Sequence, residues 1–373
     1  MTNKELFYFA GKCLTLDEDP GFSREIISKI ESDSIDWLKF SALCSDHLIL
    51  PVIYLKFLSH GVVEYLPDEF SAYLHEIYEL NLTRNTRILE QLLEITGILN
   101  KSDIYPVFLK GAAHLLDELY TNIGERILGD IDFLVPEKDY FLSAKLLENN
   151  GYSKYENEAN YFDVDSLKHY PPLVKEGSAA YIEIHRLVTH KEMSWFNFGT
   201  IDQEKKEPKA LKGCYVLSDK HKIIHNFVHS QLHHRGHIYG IVSLRDIYDL
   251  YLLSKRSDLE EALVQIKSKQ KAIAYFALTR KALGLDKRLY PGSTFSTWLF
   301  LKKHDLNLGS SVFYQTYRTI VYLSRRLFIG YIGQTIKSFY NKSIRKSLIN
   351  RLSDPKWYKA HILYHIDFFK RKR

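Results

Sequence analysis

The most informative part of the chain is an apolar run that carries two carboxylates, Gly129-Asp130-Ile131-Asp132-Phe133-Leu134-Val135. Side chains alternate between the two faces of a strand, so Asp130 and Asp132 share one face and the apolar residues line the other. Two neighbouring carboxylates are costly to bury unless a cation neutralises them. Carboxylate oxygens are the ligands that Mg²⁺ prefers. We therefore predict a strand that binds Mg²⁺ or Mn²⁺; the alternative, a solvated edge strand, is disfavoured by so apolar a run.

A second motif lies upstream of the two carboxylates. Residues 104–109 predict a strand that runs into Lys110-Gly111-Ala112-Ala113 and then a helix over 114–120. A strand that ends in glycine at a helix start exposes backbone N–H groups, which bind phosphate together with the helix dipole. Lys110 adds a positive charge to this turn. We predict that this turn, Lys110 to Ala112, binds phosphate; the alternative is a turn without a ligand.

Together these motifs resemble the nucleotidyltransferase superfamily typified by DNA polymerase beta, and most closely its bacterial branch of uncharacterised nucleotidyltransferase-like proteins. The resemblance spans roughly residues 35–255, and one departure is Gly111-Ala112, where the superfamily often has Gly-Ser or Gly-Gly. The missing hydroxyl removes one phosphate contact, while the backbone turn is retained. The residues that carry the resemblance are Arg84-Asn85, Leu109-Lys110-Gly111, Tyr120, Arg126, Asp130-Ile131-Asp132, Ile182-Glu183-Ile184-His185, Ser218-Asp219, His229 and Leu244-Arg245-Asp246.

The resemblance implies a set of roles for these residues. Asp130, Asp132 and Glu183 are expected to be catalytic and to bind the metal ion, with Glu183 positioning the attacking hydroxyl or taking its proton. The same three-residue turn, 110–112, is expected to bind the nucleotide, and Arg126 to neutralise charge on the leaving pyrophosphate. From the residues alone, the favoured interpretation of Glu183 is an exposed strand acid. His185 shares its face and either assists or is a surface histidine.

The implied reaction is a metal-dependent transfer of a nucleoside monophosphate from an NTP to a hydroxyl acceptor, with release of pyrophosphate. Mg²⁺ or Mn²⁺ is the expected cofactor and the NTP the substrate. The acceptor is left open between RNA, protein and a small molecule. The alternative is a catalytically silent nucleotide-binding or nucleic-acid-binding module with the same fold.

Histidines offer a competing site further along the chain. His221, His225 and His229 recur at i, i+4 and i+8, and three more follow at 233, 234 and 237. Metal-binding helices do use histidines at i, i+4. Three successive turns are too spread for one ion, however, so we expect these histidines to face the cleft or to pack between helices.

The fold predicted from these patterns is α/β (α+β), a small mixed-sheet core flanked by helical regions. Apolar residues at three-to-four spacing from 77 to 99 predict a long helix. Further helices are predicted at 138–149, 218–234 and 243–254, and strands at 161–164, 170–174 and 179–188. Pro171-Pro172 limits the strand at 170–174 to an edge or a bulge.

The predicted organisation has four regions. They are a helical N-terminal region (1–100), a catalytic core (101–217), a helical C-terminal domain (218–317) and a basic aromatic tail (318–373). Three scattered cysteines argue against a disulfide framework and favour a reducing compartment. With neither a signal peptide nor a long apolar span in the sequence, we expect a cytoplasmic protein.

The basic tail accounts for the net positive charge of the chain. Residues 318–373 contain 14 Lys and Arg but only two acids, Asp354 and Asp367, interleaved with aromatic residues. That composition suits RNA or an anionic membrane surface, which would place the protein at the periphery of the membrane. The alternative is a solvated helical face whose aromatic residues pack inside.

Overall fold

A computed structural model describes residues 1–155, 169–189, 195–285 and 294–370. Within these residues the chain forms one small sheet, which is preceded in the sequence by a helical part and followed by a series of helices. The helices are α1 (Asn3–Cys13), α2 (Pro20–Glu31), α3 (Trp37–Asp46), α4 (Leu50–Ser59), α5 (Asp68–Asn100), α6 (Lys110–Leu116), α7 (Tyr140–Asn149), α8 (Phe198–Asp202), α9 (Asp219–Phe227), α10 (Gly236–Tyr239), α11 (Leu244–Ser254), α12 (Leu259–Gln265), α13 (Lys269–Ala282), α14 (Phe295–Gly309), α15 (Ser311–Arg325), α16 (Gly333–Tyr340), α17 (Lys342–Leu352) and α18 (Pro355–Lys370).

The sheet has six strands in the order β3-β4-β5-β2-β1-β6. Its two longest strands, β2 and β5, pair in parallel at the centre, while β1 is antiparallel to β2 and parallel to β6. The sheet is therefore mixed, as predicted. The strands are β1 (Val107–Phe108), β2 (Asp130–Leu134), β3 (Ser153–Lys154), β4 (Leu173–Val174), β5 (Tyr181–His185) and β6 (Tyr215–Val216).

One face of the sheet forms the core of this part of the molecule. Ile131 and Phe133 of β2 and Ile182 and Ile184 of β5 are fully buried, and they pack with apolar residues of α5 and α7. Burying each such side chain contributes about 1.5–3 kcal/mol. The alternation that buries these residues turns the intervening acids of both strands to the opposite face, so core formation orients the candidate site.

Several predicted elements differ from the structure. The helix expected over 114–120 runs over Lys110–Leu116 instead, so the Lys-Gly pair forms its first turn. The strand expected at 170–174 is reduced to Leu173–Val174, and it is not an edge strand, because β3 and β5 flank it. The predicted bulge is present: residues 169–173 oppose residues 182–185 of β5, which leaves one extra residue on the side of the two prolines. Both prolines precede the strand, where a missing N–H costs nothing in the ladder. The strand predicted at 161–164 lies outside the described residues.

The predicted helix starts after residue 218 and residue 243 agree with the structure. Ser218 accepts a hydrogen bond from the N–H of His221 and caps α9, and α11 begins directly after Ser243. The helix predicted to run to about residue 234 does continue past α9, but Val228–His233 is a π-helix and not an α-helix. Its wider turn places side chains differently from the α-helical spacing assumed for the histidines.

The chain divides into two compact units, Met1–Lys303 and His304–Arg373. The predicted boundaries at 100, 217 and 317 stay predictions. Within the described residues no single helix is long and apolar enough to cross a membrane. By length and composition alone a bent pair, α3 with α4, passes that test together.

Candidate active site

The candidate site is built on the two central strands. Parallel pairing sets Asp132 of β2 directly opposite Glu183 of β5, with Asp130 opposite Tyr181. Because paired residues on parallel strands point to the same face, the acid of each strand lies beside the acid of the other. The register thus brings together two carboxylates that are about fifty residues apart in the sequence.

Asp132 is the most enclosed carboxylate of the site. Its Oδ1 lies 2.7 Å from Nζ of Lys110 and 2.7 Å from Nε2 of His185. Because an ionised carboxylate only accepts hydrogen bonds, Nε2 of His185 carries the proton in this pair. Both bonds end on the same oxygen, and no other group among the described residues bonds Oδ2. That second oxygen is available to a ligand.

The charges around each acid set its pKa in a different direction. Burial raises the pKa of Asp132, but Lys110 and His185 outweigh burial and hold this pKa well below the ordinary value. Burial also raises the pKa of Glu183, while its hydrogen bond with His185 brings that pKa below its usual value. The pKa of Asp130 is raised, first by burial and then by the charge of Asp132. Asp130 is therefore the carboxyl whose negative charge is least compensated.

Three side chains of a type that can bind a metal ion converge on this face, and of the three the two carboxylates can share a cation while Nε2 of His185 carries a proton. One ligand atom each from Asp132, Glu183 and His185 lies within 4.8 Å of the others. Asp130, predicted as a ligand, lies outside this group, and His185, which the sequence left undecided, lies inside it. Nε2 of His185 contacts the Asp132 oxygen at 2.7 Å and the Glu183 oxygen at 3.5 Å. His185 therefore fixes the position of both acids.

The Lys-Gly motif connects β1 to the site through an unusual backbone. Lys110 has a φ of +50°, in the left-handed region where a residue with a Cβ is strained by about 1–2 kcal/mol. This conformation accompanies the bond from its side chain to Asp132, and strain of this kind persists where the surrounding structure fixes it, often at functional sites. The next residue, Gly111, is buried against Arg126 and Leu128: a Cβ there would lie 2.4 Å from Nη1 of Arg126. The close approach that this glycine permits is to Arg126.

Arg126 is bound to a residue that the sequence did not single out. Its Nε and Nη2 donate to the two carboxylate oxygens of Asp249 at 2.9 and 2.8 Å. Both side chains are buried, and the hydroxyl of Tyr120 donates to the same carboxylate at 2.6 Å. Arg126 therefore joins the loop before β2 to α11. Its predicted contact with pyrophosphate stays a prediction.

Polar residues of α5 fix the same loop from the other side. Asn81 donates to the carbonyl of Gly124 at 2.7 Å, and Asn85 donates to that of Arg126 at 2.9 Å. Arg84 donates to the carbonyls of Leu128 and Gly129, immediately before β2. Buried carbonyls without a partner would destabilise this loop, so the Arg84-Asn85 pair of the sequence motif acts by positioning β2.

A cavity of about 420 Å³ adjoins the Lys-Gly motif. Gly111, His114, Tyr120, Asn122 and Arg126 are among the residues that line it. A smaller cavity of about 50 Å³ lies on the other side of Arg126, where Lys110 and His229 are among its lining residues. The larger volume is in the range of small-molecule sites, so a ligand can lie beside the first turn of α6.

Two residues that matter here were missed or left open by the sequence. His185 could have been found from strand alternation, because it shares the face of Glu183. Asp249 gave no comparable signal, since acids on amphipathic helices are common and its partner lies 123 residues away. Only packing of α11 against the loop identifies it.

Paired acids on neighbouring strands, preceded by a strand, Lys-Gly and a helix, are typical of enzymes that transfer nucleotidyl groups. A family model described as an uncharacterised nucleotidyltransferase matches residues 33–289, which is more than half of the chain. The chain therefore belongs to this nucleotidyltransferase family, and the match includes the whole stretch over which its motifs resemble such enzymes. No curated protein matches the chain at a significant level.

Proposed function

We propose that this protein is a divalent-metal-dependent enzyme that moves a nucleoside monophosphate from an NTP to a hydroxyl group and releases pyrophosphate. The observation that carries the proposal is the register of β2 and β5, which pairs Asp132 with Glu183 on one polar face. The family membership of the chain supports the reaction class. The sequence-derived assignment of this family to the polymerase-beta type remains part of the proposal.

The donor set fits Mg²⁺ or Mn²⁺. Asp132 and Glu183 supply carboxylate oxygens, the ligands that these ions prefer, and the raised pKa of Asp130 indicates a carboxyl that a cation would stabilise as an anion. The bound ion would neutralise phosphate charge and polarise the phosphoryl oxygens. His185 would keep Asp132 oriented by its hydrogen bond, as partners of metal-binding carboxylates commonly do.

Lys110 is expected to bind both Asp132 and a phosphate group when nucleotide binds. Its ammonium now bonds Asp132 at 2.7 Å, and two anions, a carboxylate and a phosphate, can share such a group. The N–H groups of Gly111 and Ala112, in the first turn of α6, would add hydrogen bonds to the phosphates. Arg126 would contribute positive charge at the base of this turn while it remains bound to Asp249.

The chemical step requires one proton transfer and one exchange of bonds at phosphorus. The acceptor hydroxyl loses its proton to Glu183 or to water, and its oxygen forms a bond to the α-phosphorus. The bond from that phosphorus to the bridging oxygen breaks, and pyrophosphate leaves with the electron pair. A carboxylate such as Glu183, whose pKa is held low, serves better to position the hydroxyl than as a strong base.

The C-terminal unit is proposed to bind an anionic partner. None of the residues described between 305 and 363 is buried, so this unit exposes large apolar side chains such as Ile320, Phe328, Ile336 and Phe339. Exposed aliphatic residues among many cations favour an anionic bilayer, because RNA would bind through cations and aromatic stacking alone. The acceptor is not assigned by this surface.

A screen with labelled NTPs tests the activity. The full chain is incubated with Mg²⁺, each of four labelled NTPs and RNA, protein or small hydroxyl compounds, in parallel with Asp132→Asn. We expect label transfer by the wild-type protein and at least about a hundredfold less by the variant. NTP binding without transfer to any acceptor class would favour the silent nucleotide-binding module. Equal transfer by both proteins would remove Asp132 from the mechanism.

A further inference from the structure

Three histidines after α9 converge on one point. One ring nitrogen each from His229, His233 and His234 lies within 4.8 Å of the others. Nε2 of His229 and Nε2 of His234 are 3.1 Å apart. Imidazole nitrogens bound at about 2.0–2.1 Å to one tetrahedral Zn²⁺ lie roughly 3.3–3.4 Å from one another. The three rings therefore need only small rotations to bind a single ion.

The π-helix Val228–His233 is what brings these rings together. In an α-helix, residue i+5 lies about 140° around the axis from residue i, so His229 and His234 would point to different sides. Here the N–H of His234 donates to the carbonyl of His229 at 2.9 Å, a π-type bond. The wider turn places both His233 (i+4) and His234 (i+5) beside His229. Such turns are rare and frequently mark functional sites.

The chemistry of this cluster differs from that of the carboxylates on the sheet. Imidazole suits Zn²⁺ and other first-row transition metals, whereas Mg²⁺ prefers oxygen. Three protein ligands are also the number found in zinc sites that keep a fourth position for water or substrate. His229 lines the small cavity that Lys110 and Arg126 also line. An ion bound to His229 would stand at the border of the candidate site.

We propose that His229, His233 and His234 form a transition-metal site of the Zn²⁺ class, separate from the carboxylates of β2 and β5. The expectation that His221, His225 and His229 are too spread to bind one ion concerned a different set of three histidines and stays a prediction. The inference concerns metal binding alone and stands whether or not the protein transfers nucleotidyl groups. A phosphate oxygen is a suitable fourth ligand for such an ion.

Calorimetric titration of the full chain with Zn²⁺ tests the site, with excess Mg²⁺ present to occupy the carboxylates. His234→Ala is the main variant, because His234 is exposed and its loss does not threaten folding. His75→Ala, an exposed histidine of α5, is the matched control, and Asp132→Asn separates the two metal sites. We expect one equivalent of Zn²⁺ in the wild type and both controls, and at least about tenfold weaker binding in His234→Ala.

Co²⁺ provides a second readout through its visible absorption, which reports the ligand geometry directly. His229→Ala should lose this band, and circular dichroism checks that the variant is folded. The proposal is overturned if wild type binds no Zn²⁺ in excess Mg²⁺, or if His234→Ala and folded His229→Ala bind it as the wild type does. Loss of Zn²⁺ binding in Asp132→Asn as well would assign the ion to the carboxylates instead.

Discussion

Arg126 and Asp249 form a buried, two-pronged ion pair that connects the loop before β2 to α11, 123 residues further along the chain. Burial opposes both charges, yet the pKa of Asp249 is held far below its usual value by Arg126, and that of Arg126 is raised by Asp249. Because Arg126 also lies against Gly111, this pair fixes the Lys-Gly turn and the start of β2 together.

Removing the charge of Asp249 should destabilise the fold. Asp249→Asn leaves the guanidinium of Arg126 buried without a counter-ion, which costs about 3–5 kcal/mol for pairs of this kind. Urea denaturation of wild type and variant measures the difference. Asp202→Asn, a change of an exposed acid bound only to nearby Lys205, is the control and should shift the free energy of unfolding by less than about 1 kcal/mol. Equal stability of all three proteins would contradict a structural role for the pair.

The same pair predicts a pH dependence of stability. A carboxyl whose folded pKa is lowered contributes stability above its unfolded pKa of about 4, and this contribution is lost as the pH falls further. Wild type should therefore lose up to about 1.4 kcal/mol per pH unit from this one group below pH 4. The free energy of unfolding of Asp249→Asn should depend less steeply on pH, because this contribution is missing. Denaturation at pH 5, 4 and 3 checks this, and parallel slopes for the two proteins would show that Asp249 does not titrate as argued.

Glu183→Gln should separate catalysis from folding. The substitution keeps the shape of the side chain and removes the charge that faces Asp132 and the proposed metal ion. We expect nucleotidyl transfer to fall by about 10²–10⁴-fold, while the melting temperature changes little because Glu183 is only half-buried. Single-turnover measurements with saturating NTP test this. Glu176→Gln, an exposed acid in the same region, should keep full activity, and an active Glu183→Gln would make Glu183 an ordinary strand acid.

Gly111→Ala should affect the packing of Arg126 more than it affects the binding of nucleotide. The new Cβ would lie 2.4 Å from Nη1 of Arg126 and 2.8 Å from Leu128, and overpacking of this kind costs about 1–3 kcal/mol. Gly97→Ala is the matched control, because nothing lies within 4 Å of a Cβ at that helical position, and it should be neutral or slightly stabilising. Thermal melts of both variants decide the point. If Gly111→Ala is as stable as wild type but binds NTP weakly, the glycine is required for binding of the phosphates and not for packing against Arg126.

The charge of the C-terminal unit should govern binding to an anionic surface. Replacing exposed Lys342, Arg345 and Lys346 by Gln should weaken binding of the full chain to phosphatidylserine vesicles by about 3 kcal/mol, since each cation contributes about 1 kcal/mol. Binding by wild type should fall steeply as salt rises. A triple variant of exposed Lys101, Lys145 and Lys209 is the charge-matched control. Salt-sensitive binding to RNA but not to vesicles would identify RNA, and not a bilayer, as the partner of the C-terminal unit. Binding to neither would show that the unit is a solvated helical face.

The local elements of the site follow from short-range patterns. Alternation predicted that Asp130 and Asp132 share a face and that Glu183 stands opposite an apolar face, and both strands form where expected. The Lys-Gly pair at a helix start was also readable, although α6 begins four residues earlier than predicted. Each of these features depends on neighbouring residues in the chain, so periodicity and glycine placement suffice to predict it.

Tertiary structure alone decided which of these residues meet. The bonds of Asp132 to Lys110 and His185 join residues 22 and 53 positions apart, and Arg126 meets Asp249 over a longer separation still. Strand register and helix packing set such contacts, because they are fixed by the burial of the whole core and not by any local pattern. The π-turn that gathers His229 with His234 is likewise invisible in the sequence, since α-helical spacing is the default for any helical stretch and only the packed chain departs from it.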